Sequence, residues 1–242
     1  KISQILLTLD DTEQRRRSIN ARRTMDTLLK MGIIPVVNEN DTIATSEIRY
    51  GDNDRLAARV AQILSADCLI LLSNINGLYS SDPNNSEKIK LISNISEISQ
   101  DIEDMAGESI SEFGKGGMKT KIMAAKTAMA AGCHMAITNG TILNPIKALF
   151  KERPCTWFTP TKTPLAARKQ WIVGTMKPIG TILIDDGAVD ALKKGSSLLP
   201  AGIHNVIGTF SRGDAVSVES KNKDKIGIGL VGYSSDDAKK IM

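Results

Sequence analysis

Aromatic side chains are scarce in these 242 residues: two Trp, three Tyr and four Phe, 4% of the chain. A surface that reads single-stranded nucleic acid stacks bases on exposed rings, so this poverty argues against base readout as the main activity. Cysteine is rarer still. Cys68, Cys133 and Cys155 form no CxxC pair, and an odd count at wide spacing points to reduced thiols inside a cell rather than a disulfide framework. Cys68 and Cys133 fall in apolar runs and read as core. His134 and His204 have no partner at metal-ligand spacing, so no zinc signature is present and no protein metal site is expected. No apolar run approaches the roughly 20 residues of a membrane helix. A cytoplasmic protein without a membrane part is expected.

A signal peptide is also missing. The chain nevertheless starts at Lys1, in what already reads as a structural segment, residues 2–9, so further residues upstream are expected. Charge of one sign is only mildly in excess, at +4, and much of it sits in Arg15, Arg16, Arg17, Arg22 and Arg23. A solvated helix face accounts for these better than a nucleic-acid contact. The length suits two ordinary domains, with 41% hydrophobic and 24% charged residues, the mix of a globular protein.

What is present is a polar cluster placed after a buried strand. Residues 33–37 are an apolar, β-branched run of the kind buried on both faces, and they stop in Asn38, Glu39, Asn40 and Asp41. A dozen residues later Gly51, Asp52, Asn53 and Asp54 lead into residues 56–64, whose apolar spacing is helical. Ligands of open α/β sheets collect at such strand ends. Amides and carboxylates together suit a zwitterionic amino acid; the alternative is plain capping, which favours the same residue types.

Before this cluster the pattern predicts a strand at residues 5–9 and one helix from Asp10 or Asp11 through Leu29, ended by Gly32. After it comes a buried strand at 68–72, ending in Ser73-Asn74-Ile75-Asn76-Gly77-Leu78-Tyr79, then a turn at Asp82-Pro83-Asn84-Asn85. Residues 91–112 hold a short strand and a helix. Gly114-Lys115-Gly116-Gly117-Met118-Lys119-Thr120-Lys121 then runs into a helix at 122–130. Glycines let backbone N–H groups approach an anion, and a helix N-terminus and lysines add positive potential, so a phosphate site is reasonable there. The sequence is not a Walker A motif, and the competing reading is a flexible basic loop. A strand at 135–138 ends in Asn139-Gly140.

Composition shifts after Phe150. Residues 151–169 carry three prolines and no clear period, and read as a linker. Beyond them, strand-like runs at 179–184, 215–218 and 226–231, with a short helix at 188–194 stopped by Gly195, predict a small β-rich second domain.

Three segments now carry a resemblance. VVNENDTIATSEIRYGDNDRLAA at 36–58, LLSNINGLY at 71–79 and GKGGMKTK at 114–121 resemble the glutamate 5-kinases of the amino acid kinase superfamily. RKQWIVG at 168–174, DDGAVDALKKGSSLLPAGI at 185–203 and GTFSRGDAV at 208–216 resemble the PUA domain that follows that kinase domain in many members. The resemblance implies an α/β three-layer αβα sandwich with a mostly parallel sheet, lacking its N-terminal strands, over residues 1–150. After the 151–169 linker it implies a PUA domain at 170–242, cut short at its carboxyl end.

It further implies transfer of the γ-phosphoryl of ATP to the side-chain carboxylate of L-glutamate, with Mg2+ bound with the ATP, as the first step of proline biosynthesis. Asn38, Asp41, Asn53 and Asp54 match the family's glutamate-binding residues. Ser73, Asn74, Lys115, Gly116, Gly117, Met118, Lys119, Thr120 and Lys121 match its ATP contacts. Lys121 corresponds to the lysine that meets the transferring phosphate, and Asp54 to the acid that organises lysines and substrate. A homo-oligomer, dimer or tetramer, and feedback inhibition by proline go with the family.

Two departures stand out. Ser73-Asn74 replaces the family's Thr-Asp, keeping hydrogen-bonding groups and dropping a negative charge, which bears on nucleotide preference. The family's opening strand and Lys-x-Gly-Ser loop do not occur in the sequence. Were the chain complete, loss of that second lysine would cost on the order of 10² to 10³ in rate. The competing readings are an inactive fragment and an RNA-binding module through the second domain. Lys193, Lys194, Arg212, Lys221, Lys223 and Lys225 favour the latter, but Asp185, Asp186, Asp190, Asp214, Glu219 and Asp224 offset them.

Overall fold

Thr8 and Asp11 organise the first turn of the chain. In the computed structural model, which describes residues 1–43, 53–80, 89–106, 117–151, 153–175 and 177–242, the Asp11 carboxylate accepts from both the N–H and the hydroxyl of Thr8, at 2.8 and 2.7 Å. The chain divides into two compact units, Lys1–Arg168 and Lys169–Met242.

The first unit opens with β1 (Ile2–Leu7), α1 (Leu9–Glu13), α2 (Arg15–Lys30) and β2 (Ile34–Glu39). The single helix expected from Asp10 or Asp11 to Leu29 is thus two helices. Gln14 takes extended angles (φ −71°, ψ 116°), closing α1 through its N–H on Asp10 O and starting α2. Apolar spacing carries no record of one residue leaving the helical region. Gly32, at φ +69°, ends α2: its N–H reaches Leu29 O and that of Ile33 reaches Leu28 O, a closure that left-handed glycine makes easily.

β1 and β2 pair in parallel from Ile2↔Ile34 to Leu7↔Glu39. The run read as buried on both faces is covered on one. Val37 joins Leu7, Ile5 and the helical residues Leu56 and Val60 in a small core, whereas Ile34 and Val36 are 63% and 50% exposed. A run of apolar residues looks the same in sequence whether one face or two are covered.

The remaining elements of this unit are α3 (Asn53–Leu64), β3 (Cys68–Ser73), β4 (Asn94–Ile95), α4 (Gln100–Met105), α5 (Met118–Ala130), β5 (His134–Asn139), α6 (Pro145–Leu149), β6 (Cys155–Phe158) and α7 (Pro164–Thr175), the last containing the division between units. A four-stranded sheet has the order β3-β5-β6-β4. β3 with β5 and β4 with β6 are parallel, and β5 with β6 antiparallel. Strands with helices between them place the unit in the α/β class, and its sheets are mostly parallel as expected.

Residues 151–169 are not an unstructured linker. They contain β6, whose Phe158 is fully buried and which pairs with β5 and β4. Pro154 and Pro160 flank this strand without interrupting it, and four residues are too few to show a period. Cys133 is fully buried as expected, but Cys68 is exposed, because it starts β3 at the margin of the sheet.

The second unit is a sheet of order β10-β9-β7-β8, built from β7 (Thr181–Ile184), β8 (Ile203–Ile207), β9 (Ala215–Ser220) and β10 (Lys225–Leu230), with α8 (Asp186–Lys193) and α9 (Ser235–Ile241). β7 and β9 are parallel; the other pairs are antiparallel. Asp185 caps α8 by accepting from Ala188 N–H at 2.7 Å. Ile182, Ile184, Val206, Phe210 and Val216 form the core. Among the described residues no helix is long and apolar enough to cross a membrane.

Candidate active site

α3 and α5 bring two distant segments together because their facing surfaces are small. Ala58 and Ala61 of α3 and Ala124, Ala125 and Ala128 of α5 are all buried in one core. Interaxial distance follows the side chains at the contact, so alanines on both helices let the axes approach closely. Lys121, one turn into α5, then reaches Asp54, in the first turn of α3: its Nζ donates to Asp54 Oδ2 at 2.8 Å.

Neither partner has much water. The Lys121 side chain is 10% exposed and that of Asp54 20%. A charge so placed is paired, since an isolated charge taken out of water is costly. The helix dipoles sharpen this. Asp54 lies near the positive end of α3 and is favoured there; Lys121 lies near the positive end of α5 and is not. An anion beside Lys121 offsets that disadvantage, and Asp54 is the anion in this structure. The same positive potential would attract a phosphate.

The first turn of α5 supplies more donors. Gly117 precedes it with extended angles (φ −78°, ψ −178°), and the Thr120 hydroxyl donates to Gly117 O at 2.8 Å. Met118 and Lys119 complete the turn, Lys119 being exposed. Lys115 and Gly116 lie outside the described residues, as do Gly51, Asp52 and the turn at Asp82-Pro83-Asn84-Asn85.

Ser73 and Asn74 come out at the same end as Asn53 and Asp54. The twelve residues of α3 span ~18 Å and the six of β3 about 20 Å. Only residues 65–67 join them, so β3 runs back along α3 and ends beside its first turn. Ser73 Oγ donates to Asn74 Oδ1 at 3.3 Å, and Asn74 is exposed. Asn53 is exposed at the start of α3. Asn38 sits on the open face of β2, opposite in sense to Val37, and Asp41 is exposed two residues beyond the strand.

Two neighbours of this rim were not singled out from sequence. Asn139 ends β5 opposite Ser73 in register, its Oδ1 accepting from the Thr141 N–H and hydroxyl at 2.8 and 2.7 Å. Its signal was the Asn-Gly that closes an apolar run. Thr156, fully buried on β6, has no signal in the sequence at all. Among the described residues no group of three or more His, Cys, Asp or Glu could hold a metal ion.

Residues 1–139 match the family model described as Amino acid kinase family. The chain belongs to that family. As a member of the amino acid kinase family it also carries, at residues 180–242, a match to the PUA domain. It is 54% identical over 241 residues to a protein of Paramagnetospirillum magneticum named Glutamate 5-kinase, covering 100% of this chain and 65% of that one. A Glutamate 5-kinase of Pelagibacter ubique is 57% identical over 241 residues, with 100% and 66% covered. One from Rhodopseudomonas palustris is 56% identical over 238 residues, with 98% and 63% covered. The chain therefore spans just under two thirds of the length of these curated relatives.

Proposed function

We propose that this amino acid kinase family member transfers the γ-phosphoryl of ATP to the side-chain carboxylate of L-glutamate, giving L-glutamyl 5-phosphate for proline synthesis in the cytoplasm. The observation that carries the reading is the buried Lys121–Asp54 pair at the N-termini of two helices, beside the Gly117 turn. Likeness to the relatives named Glutamate 5-kinase supports the choice of substrate.

Phosphoryl transfer asks a protein mainly to position two anions and neutralise charge on the equatorial oxygens. Lys121 takes that charge when a phosphate replaces or joins Asp54 beside it. Mg2+ travels with the ATP and neutralises its phosphates. Ser73, Asn74, Lys115, Gly116, Gly117, Met118, Lys119 and Thr120 hold the nucleotide; Asn38, Asp41, Asn53 and Asp54 hold glutamate. Asp41 and Asp54 face its ammonium group or a lysine, as Asp54 faces Lys121, since a carboxylate would repel the reacting carboxylate. The protein works as a homo-oligomer and responds to proline. RNA binding through the second unit is the weaker reading, supported by its match to the PUA domain.

The test is formation of glutamyl hydroxamate from glutamate, ATP, Mg2+ and hydroxylamine. Product that disappears in Lys121→Ala is expected. Absence of product from the unsubstituted protein, or product unaffected by Lys121→Ala, overturns the reading.

A further inference from the structure

Thr156 stands at the centre of a closed ring of hydrogen bonds. Its Oγ1 accepts from Leu78 N–H at 2.8 Å and donates to Ile92 O at 2.7 Å, while Ile92 N–H donates to Leu78 O at 2.9 Å. The hydroxyl thereby both accepts and donates, inside a core where an unmade bond is costly. Gly77 lies directly on it. A Cβ at Gly77 would meet Thr156 Oγ1 and lie 2.9 Å from Thr156 N, so this backbone approach admits only glycine.

The ring fastens the far end of the segment that follows β3. The near end is held by Gly140 N–H, which donates to Ser73 O at 2.7 Å. Between these two ties run Ser73 and Asn74, assigned above to the nucleotide, then Ile75, Asn76 and Gly77. The first tie is backbone to backbone and survives any side chain. The second combines the backbone bond from Ile92 N–H to Leu78 O with one hydroxyl, from a strand 78 residues further along the chain than Leu78.

We infer that Thr156 is a positioning residue for nucleotide binding: it touches no ligand, but its hydroxyl fixes residues 77 and 78 and so sets where Ser73 and Asn74 present their polar groups. This rests on the nucleotide reading of Ser73 and Asn74. Valine has the shape of threonine without the hydroxyl, leaves Leu78 N–H and Ile92 O unpaired, and loosens the far end of the segment, where only the backbone bond from Ile92 N–H to Leu78 O then remains of the ring. Serine keeps the ring.

The decisive measurement is calorimetric binding of Mg2+-ATP and, separately, L-glutamate to the unsubstituted protein, Thr156→Val, Thr156→Ser and Asn74→Ala. Thr156→Val should weaken ATP on the order of tenfold, the equivalent of about one hydrogen bond, and leave glutamate within twofold. Thr156→Ser should restore ATP binding, and Thr156→Val should add little in an Asn74→Ala background. Amide exchange at residues 76–80 should rise in Thr156→Val with β5 unchanged. If valine prevents folding, Thr156→Cys, a weak donor and acceptor of similar reach, takes its place with the same expectation. Unchanged ATP affinity in the valine or cysteine variant, equal losses for ATP and glutamate, or failure of serine to restore binding would overturn the inference. No ATP binding by the unsubstituted protein would overturn the nucleotide reading itself, and the inference with it.

Discussion

Lys121 and Asp54 lie 67 residues apart in the chain and 2.8 Å apart in space, a hydrogen-bonded ion pair. The pair ties α5 to α3 as firmly as it presents a cation to a ligand, so stability and chemistry are coupled at this point.

Removing one member leaves a buried charge. Lys121→Met or Asp54→Asn alone should lower unfolding free energy by roughly 3 kcal/mol in urea denaturation, and the double variant should lose less than the sum. Catalysis separates the members: Lys121→Ala should reduce hydroxamate formation on the order of 10² to 10³. Equal, additive stability losses would mean that the two charges are not each other's partner.

Gly132 and Gly195 test backbone strain against packing. Both have positive φ, +75° and +87°. A Cβ at Gly195 meets open space, but one at Gly132 would lie 2.5 to 2.7 Å from the backbone of Thr163 and Pro164. Gly195→Ala should cost about 1 kcal/mol, the left-handed penalty alone. Gly132→Ala should cost at least twice that in thermal or urea unfolding.

Asp11 predicts an acid limb of the stability curve. Burial alone would push its carboxyl up, yet the Thr8 N–H and hydroxyl and the Arg17 guanidinium outweigh it and hold the group below 3.8. A depressed folded value means stability that is present above the unfolded value and lost as pH falls through the folded one. Asp11→Ala should therefore cost about 1 kcal/mol at pH 7, the size of a helix cap, and progressively less below pH ~4, measured by urea unfolding across pH.

Cys133 predicts an alkaline limb. Burial first, then Cys68 and Asp67, push its thiol from 9.0 up to about 11. With a raised folded value, the contribution is intact below pH 9 and fades as pH rises from 9 toward 11. The stability difference between the unsubstituted protein and Cys133→Ala should shrink across that window. In the native state at pH 8, iodoacetamide should modify exposed Cys68 and spare Cys133.

The elements legible beforehand are those whose pattern is long or sharply bounded. α3, α5, β3 and β5 lie close to the spans expected of them, because 12 and 13 residues of helical spacing or a compact apolar run ending in Ser-Asn or Asn-Gly are strong local signals. β6 was hidden by its four residues between prolines. β8, with exposed His204 and Asn205 at its centre, and α9, short and highly charged, offer no period either. The break at Gln14 is a single backbone choice, invisible to any window of residues.

By itself the order of residues determined the chemistry available: amides and carboxylates after one strand, a Ser-Asn after another, a lysine-bearing glycine turn before an alanine-rich helix. Each depends on neighbours in sequence, where propensity and spacing act. Only the tertiary structure decided that Lys121 meets Asp54, that Asn38 faces outward, and that Thr156 closes on Leu78 and Ile92. Those outcomes depend on how closely alanine faces pack and which buried polar groups need partners, quantities that exist only once distant segments share one core.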